Sequence, residues 1–421
     1  MSFKNAYIRS SLRNKKNKCL IISIILLILS LNYLSEIPYA VAITDSFTED
    51  FTSTTYRDAG NTNVTGWGDG QIINPKKNIT HVGTCATPDR ARDVFISGNY
   101  AYIANLYAGL SIINITDPTK PILVTTINTP DSAEHVLVEG DYAYVPSSWG
   151  QVFEIYDISD PSNPILAGSY STTSLFIDDF FISGNYAYLT VGRTSREGLE
   201  VVDISDPTNP VYAGMCSSPD LHVSTDVFVT GNYAYVVNFT TLGVFDVSNP
   251  TNPSLVSLYP LSTELESIFI SGVNAYIAAR NDGLLVVNIT NPTNPILLGS
   301  CITPTAFEVY ISSDFAYVVD LTDGLIVIDI SNPKNPVIVN SYDTPDSASG
   351  VFVDGNYAYI ADQLGGLQIY KISDPISPTY AGSFSNPDYA KGVYVEGDYA
   401  FIADYDNGLY IANIIILLIQ Y

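Results

Sequence analysis

The stretch RDVFISGNYAYIANLYAGLSIINITDPTKPILVTTINTPD, from Arg92 to Asp131, decides the fold. DVFIS and YAYIA flank Gly98-Asn99, a pair that supplies the positive φ a tight two-residue hairpin demands. A second loop ends at Gly109, and LSIINI then runs on in β-branched and apolar residues. Asp117-Pro118-Thr119-Lys120-Pro121 stops that strand, because proline fixes its own φ and has no N–H to give a ladder. ILVTTIN follows, and Thr129-Pro130-Asp131 closes the unit. The unit reads as four short strands, a to d. Nowhere does it show the 3.6-residue period of a helix.

The unit recurs. Its hairpin phrase begins at Gly98, Gly140, Gly184, Gly231, Gly272, Ser313, Gly355 and Gly397, in steps of 42, 44, 47, 41, 41, 42 and 42 residues. A fixed period near forty marks a blade or solenoid architecture. The strands are nearly apolar on both faces (AYIA, LLVVNI, GLIVIDI), so each sheet is expected to be covered on both sides. Four-stranded sheets packed face to face about an axis make a β-propeller, whereas a linear solenoid needs polar caps at its ends.

The chain ends complement each other instead. A Pro-x-x-Pro turn starts at Pro118, Pro161, Pro207, Pro250, Pro292, Pro333 and Pro375, but the eighth copy keeps only strands a to c before diverging into IIILLIQY. The missing strand stands at the front, where Thr80–Asp89 (THVGTCATPD) matches ILVTTINTPD. The expected fold is all-β: an eight-bladed β-propeller of four-stranded antiparallel blades, its ring closed by an N-terminal strand joining the three C-terminal strands. Closure of this kind removes exposed sheet edges.

The phrases GNYAYIA, GL-x-I-x-DIS-(D/N)P-x-x-P and TPD-x-A resemble the LVIVD-repeat proteins across residues 79–414. That resemblance implies a propeller of bacterial or archaeal cell surfaces, with display and interaction as its role and no catalytic residues to carry over. Phe51–Asp58 (FTSTTYRD) with Gly66-Trp67-Gly68 is similar to a leader found ahead of such repeats.

Lys15, Lys16 and Lys18 precede a nearly wholly apolar run from Cys19 to Leu34, and Ala40-Val41-Ala42 offers a small-x-small cleavage pattern. Sixteen residues fall short of the roughly 17 to 25 of a membrane span. Residues 1–42 are therefore read as a signal peptide, with an N-terminal anchor as the alternative; both put the propeller outside the cytoplasm, secreted or on the cell surface. Residues 43–78 form the leader, 79–414 the propeller, and 415–421 an apolar tail too short to span a membrane.

The chain carries 43 acidic and 18 basic residues, net −25. After residue 42 the balance is 42 against 12, net −30. Such a surface excludes nucleic acid and anionic lipid as partners, since both need basic patches. It suits solubility in a salty medium, or cations and basic partners. Cys85, Cys216 and Cys301 share one strand-d position with Ile127, Tyr170, Tyr342 and Phe384, an apolar packing slot. Non-adjacent blades hold these thiols beyond the ~7 Å Cα limit of a disulfide. Asn-x-Ser/Thr sequons begin at Asn63, Asn78, Asn114, Asn238 and Asn288. Asn114 and Asn288 replace the Asp that ends strand c elsewhere, which favours turn chemistry over glycosylation.

In a propeller the d–a spacers and b–c loops share one face, opposite the a–b hairpins and Pro-x-x-Pro turns. The hairpins and Pro turns hardly vary. The b–c loops do (NLYAG, SSWGQ, GRTSREG, NFTTLG, ARNDG, DLTDG, DQLGG, DYDNG), and variable loops on a constant scaffold are where binding lives. The residue before each strand a should sit at the channel mouth on this face: Asp93, His135, Asp179, Asp226, Ser267, Glu308, Gly350 and Gly392. Spacer residues Asp89, Asp131, Asp220, Asp346 and Asp388, with strand-b ends Asn105, Asn238, Asp320, Asp362 and Asp404, add to an oxygen-rich rim. Such a rim suits Ca²⁺, with Asp93, Asp179, Asp226 and Glu308 as ligands; the competing reading is aspartates that cap turns.

No G-x-S-x-G elbow, Walker loop or dinucleotide fingerprint is present, and His81, His135 and His222 lack metal-ligand spacing. Trp149, in the Ser147-Ser148-Trp149-Gly150 loop, either stacks on a partner or fills space between blades. Arg193, Arg196, Arg280 and Tyr405 complete the partner-binding candidates. The expected function is a non-enzymatic, monomeric scaffold that binds a protein or surface glycan through the b–c loop face. The alternatives are a polysaccharide hydrolase or lyase and a structural surface-layer spacer. A quinone-dependent dehydrogenase is disfavoured, because the repeats lack recurring tryptophans.

Overall fold

A computed structural model describes residues 79–414 except 193–196, 222, 262–263 and 386. The signal, leader and tail assignments, Asn63, Asn78, His222, Arg193 and Arg196 lie outside the described residues. Among those described, no helix is long and apolar enough to cross a membrane.

The strands form eight four-stranded antiparallel sheets. Blade 1 comprises a (Asp93–Ser97), b (Tyr100–Ala104), c (Leu110–Asn114) and d (Ile122–Ile127), and six more blades repeat this order along the chain. In blade 8, a (Ala390–Glu396), b (Tyr399–Asp404) and c (Gly408–Asn413) are joined by Thr80–Cys85 as strand d. The closing ladder runs from Thr80↔Asn413 to Cys85↔Leu409. Strand a of blade 8 packs on strand a of blade 1, as neighbouring a strands do around the ring. The ring is closed as the repeat count and the stray strand require.

Each a–b hairpin turns with positive φ at its first residue, from Gly98 (+59°) to Gly397 (+60°). Its second residue keeps negative φ, which makes these type II′ turns. Copy six places Ser313 there at φ +54°, where the Cβ of an L-residue crowds its own carbonyl. At the other end of strand c, the side chains of Asn114, Asp157, Asp203, Asp246, Asn288 and Asp329 each accept the amide two residues on, at 2.8–3.2 Å. Asn114 and Asn288 thus have the turn role expected of them. Every c–d ladder carries a bulge, for example between Ile112 and Ile113 or Val201 and Val202. A bulge bends the outer strand and blunts its open edge.

Cys85, Cys216 and Cys301 sit opposite Leu409, Leu199 and Leu284 of strand c. All three are free thiols, and burial pushes each above its usual range. They are packing residues. Nearest the axis, the third residue of the a-strand motif builds an inner ring of aromatics across blade boundaries. Phe181–Phe228, Phe228–Phe269, Phe269–Tyr310, Phe352–Tyr394 and Phe95–Tyr394 have centroids 5.3–5.7 Å apart. Contacts of this kind contribute beyond simple area burial. They give the region above them an apolar floor.

Candidate binding site at the channel mouth

Strand a starts on the loop face, so the residues leading into it meet around the axis. They line a cavity of about 240 Å³. Asp93, His135, Asp179, Asp226, Ser267 and Glu308 all belong to its wall, as the repeat register predicts. Gly350 and Gly392 fill the same register without side chains.

A second tier comes one residue earlier in each copy: Arg92, Glu134, Thr225, Glu266, Phe307, Ser349 and Lys391. Sequence reasoning missed this tier, although the same register read one position upstream contains it. In blades 3, 4, 6 and 8 the position is the extra residue of a β-bulge (Asp178, Thr225, Phe307, Lys391). Bulges re-aim side chains in this way beside functional sites.

The rim carboxylates do a definite structural job. Asp93 accepts the amide of Val136 at 3.1 Å, Asp179 that of Val227 at 3.0 Å, Asp226 that of Ile268 at 2.8 Å and Glu308 that of Val351 at 3.2 Å. Each bond ties one blade to the next. Asp179 and Asp226 lie close on neighbouring blades; burial, then the Asp226 charge, holds the Asp179 carboxyl well above the usual range. His135 Nδ1 stands 4.0 Å from Asp93. Burial, reinforced by the Arg92 guanidinium, pushes this imidazole well below its usual range. Among the described residues, no group of three or more His, Cys, Asp or Glu is arranged to hold a metal ion.

The cations of the mouth come from blades 1 and 8. Arg92 pairs with Glu134 at 3.1 Å. Arg90 and Arg92 lie over the Tyr405 ring at 5.1 and 5.8 Å, and Lys391 lies over Tyr389 at 4.7 Å. Tyr405, a sequence candidate, is therefore a platform for the two arginines. Arg280, another sequence candidate, is not among the residues lining the cavity and forms ion pairs with Glu266 and, at 3.2 Å, Glu264. Trp149 is 53% exposed, with its ring edge-to-face on Phe176 at 4.6 Å.

The strand-b ends are also corrected. Asn105, Asn238, Asp320, Asp362 and Asp404 are fully buried and do not join the rim. They clamp each b–c loop to the spacer beside it. Asp320 accepts the amides of Thr305, Thr322 and Asp323, and Asp404 those of Asp388 and Tyr389. The spacers reciprocate, as Asp89 and Asp346 accept the loop amides of Tyr107 and Leu364. Turn capping, not an oxygen-rich rim, is what these residues supply.

One clamp is titratable near neutrality. Burial, opposed by bonds from Thr344 and Asp346, pushes Asp362 up to about 6. Its stabilising contribution is complete below the ordinary value of 3.8 and is lost as pH rises through about 6. Asn105 and Asn238 already occupy the equivalent position in other blades. Asp362→Asn is therefore expected to stabilise the protein by about 1 kcal/mol at pH 7 and to flatten its stability across this window. Urea unfolding at pH 4.5 and 7 measures both effects.

The LVIVD repeat matches eight consecutive segments: residues 89–129, 130–172, 178–218, 223–260, 264–303, 305–344, 345–386 and 387–414. The chain belongs to the LVIVD-repeat family. No curated protein matches the sequence. The LVIVD-repeat ring is similar to solved propellers at low identity, a likeness that concerns the fold alone. Sqt1 of Saccharomyces cerevisiae superposes with a TM-score of 0.66 at 9% identity, covering 80% of this chain and 99% of its own. BamB of Moraxella catarrhalis gives 0.60 at 10%, covering 82% and 99%. Sqt1 of Chaetomium thermophilum, bound to the N-terminus of the ribosomal protein L10, gives 0.61 at 12%, covering 77% and 96%.

Proposed function

We propose that this LVIVD-repeat protein is a non-enzymatic, extracytoplasmic scaffold that binds a protein or glycan partner through its b–c loop face. One observation carries the reading. Tyr107, Trp149, Phe239 and Leu364 on b–c loops, with Leu175 and Ile302 on d–a spacers, are exposed apolar side chains on the face that holds the cavity. Apolar residues spread over variable loops mark an interaction surface better than the same residues on constant turns. The opposite hairpins repeat almost unchanged, and Val273 is their one large exposed apolar residue among the described residues. The Chaetomium Sqt1 complex supports the reading by analogy, as a propeller of this fold engaging a protein chain.

The test is retention of a partner from envelope extracts on immobilised protein. Tyr107→Ser combined with Trp149→Ser is expected to abolish retention, and Val273→Ser to leave it intact. Equal retention by the loop-face variant would move the function elsewhere.

A further inference from the structure

We propose that the outer edges of blades 4, 5 and 6 form a self-association surface, on which a second copy of this chain packs about a two-fold axis. The surface lies on the perimeter of the ring and does not rest on the function proposed for the loop face. Its elements are the three d strands, Ser254–Pro260, Ile296–Cys301 and Val337–Tyr342, and the Pro-x-x-Pro turns that lead into them. All eight outer strands of the ring lack Asp, Glu, Lys and Arg, in a chain of 43 acidic and 18 basic residues. Exposed edge strands are commonly guarded by charged side chains, lysine above all. Here the first two strand-d positions instead hold most of the large apolar side chains exposed among the described residues.

The turns separate one sector from the rest. They carry Asp117, Asp160, Asp206 and Asp374 in blades 1, 2, 3 and 7, but Asn249, Asn291 and Asn332 in blades 4, 5 and 6. Across residues 249–253, 291–295 and 332–336, Lys334 is the only charged residue. Asp246 and Asp329 bound the sector, each accepting the amide of the serine two residues on. Blade 5, at the centre, goes furthest: its hairpin, turn and outer strand (residues 271–274 and 288–301) contain no charge at all. Leu255, Ile296, Leu297, Val337 and Ile338 are exposed there, a run of apolar side chains on three adjacent blades. Contiguous exposed apolar surface of this kind marks an interaction site.

The sector is also held in place before any partner arrives. The Ser257 hydroxyl donates to the Pro292 carbonyl at 2.7 Å, and the Leu297 amide donates to the Tyr259 hydroxyl at 3.0 Å, which ties blade 4 to blade 5. Gly299 of blade 5 is seated against Pro333 and Lys334 of blade 6. A surface ordered in advance loses little freedom on binding. Because the Leu297 amide is taken and a bulge interrupts each c–d ladder, contact is made through side chains and does not extend the sheet. Charge selects the occupant. A basic partner would be drawn to the acidic sectors, whereas a second copy, itself net −25, can approach only where both surfaces are uncharged. A two-fold axis sets this patch against itself. The patch is small, so the association is weak: the protein is monomeric when dilute and pairs when concentrated.

The experiment is sedimentation equilibrium of the whole protein over rising concentration. A monomer–dimer equilibrium is expected, tighter in about 0.5 M than in about 0.05 M salt as the like charges are screened. Ile296→Asp and Leu297→Asp, both at exposed positions, should each weaken the dimer by about tenfold or more. Ile165→Asp, in the same register of blade 2, and the loop-face variant Trp149→Ser should match wild type. A monomer at every concentration and salt would give the patch to a different partner and overturn the proposal. So would species larger than a dimer, unchanged association in folded Ile296→Asp and Leu297→Asp, or an equal loss in Ile165→Asp.

Discussion

Replacing Gly83 with valine is expected to destabilise the ring at its seam by about 3 kcal/mol, at the upper end for overpacking. Gly83 lies in the strand that closes blade 8, beside the bulge that follows His81. A Cβ there would stand 2.3 Å from the carbonyl oxygen of Pro118 and 2.6 Å from Cδ of Pro121. Both atoms belong to the rigid Pro-x-x-Pro turn of blade 1, which cannot yield without losing its own hydrogen bonds. Gly168 and Gly214 meet the turns of blades 3 and 4 in the same way. Those joints, however, are backed by the continuous chain, while the seam is held by non-covalent contacts alone. Gly83→Val should therefore lower the urea midpoint and also generate oligomers on gel filtration, as the opened edge of strand c finds other partners. Gly168→Val should lower the midpoint and remain monomeric. Identical behaviour of the two variants would show that the seam is no weaker than any other joint.

Asp226 should answer to alanine and asparagine in opposite directions. Alanine leaves the buried amide of Ile268 without its acceptor, a loss of about 1–3 kcal/mol. Asparagine keeps that acceptor and removes the charge that raises Asp179, so at pH 7 it should be neutral or stabilising. The pH dependence fixes the interpretation. Asp179 is raised in the folded state, so its contribution is complete below the ordinary 3.8 and falls as pH climbs through the elevated folded value. Wild type should thus lose stability from pH 4 upward more steeply than Asp226→Asn. Parallel pH profiles would mean that the two carboxyls do not interact.

Much of this was legible because a repeat lets one copy explain another. Eight hairpins fixed the blade number, and Thr80–Asp89 matched the strand missing after Asn413. The register before strand a placed Asp93, His135, Asp179, Asp226, Ser267 and Glu308 in the cavity wall. Arg92 and Lys391 escaped notice because that reading stopped one residue short, and the bulge that turns Lys391 inward leaves no mark in local composition. Asp320, Asp362 and Asp404 misled for another reason. As sequence they resemble the rim aspartates, and only the tertiary proximity of spacer and loop reveals them as clamps. The Asp179–Asp226 coupling and the aromatic ring were hidden likewise, since both depend on how one blade is offset from the next.

Hydrogen–deuterium exchange on the protein with its captured partner tests the location of function most directly. Slowed exchange is expected in the b–c loops, residues 105–109 and 147–151 among them, and in the adjoining spacers. The a–b hairpins from Gly98 to Gly397 should exchange as in the free protein. Protection of those hairpins, or of the exposed strand-d edges at Ile122, Ile165 and Val211, with the loops unchanged, would contradict the account.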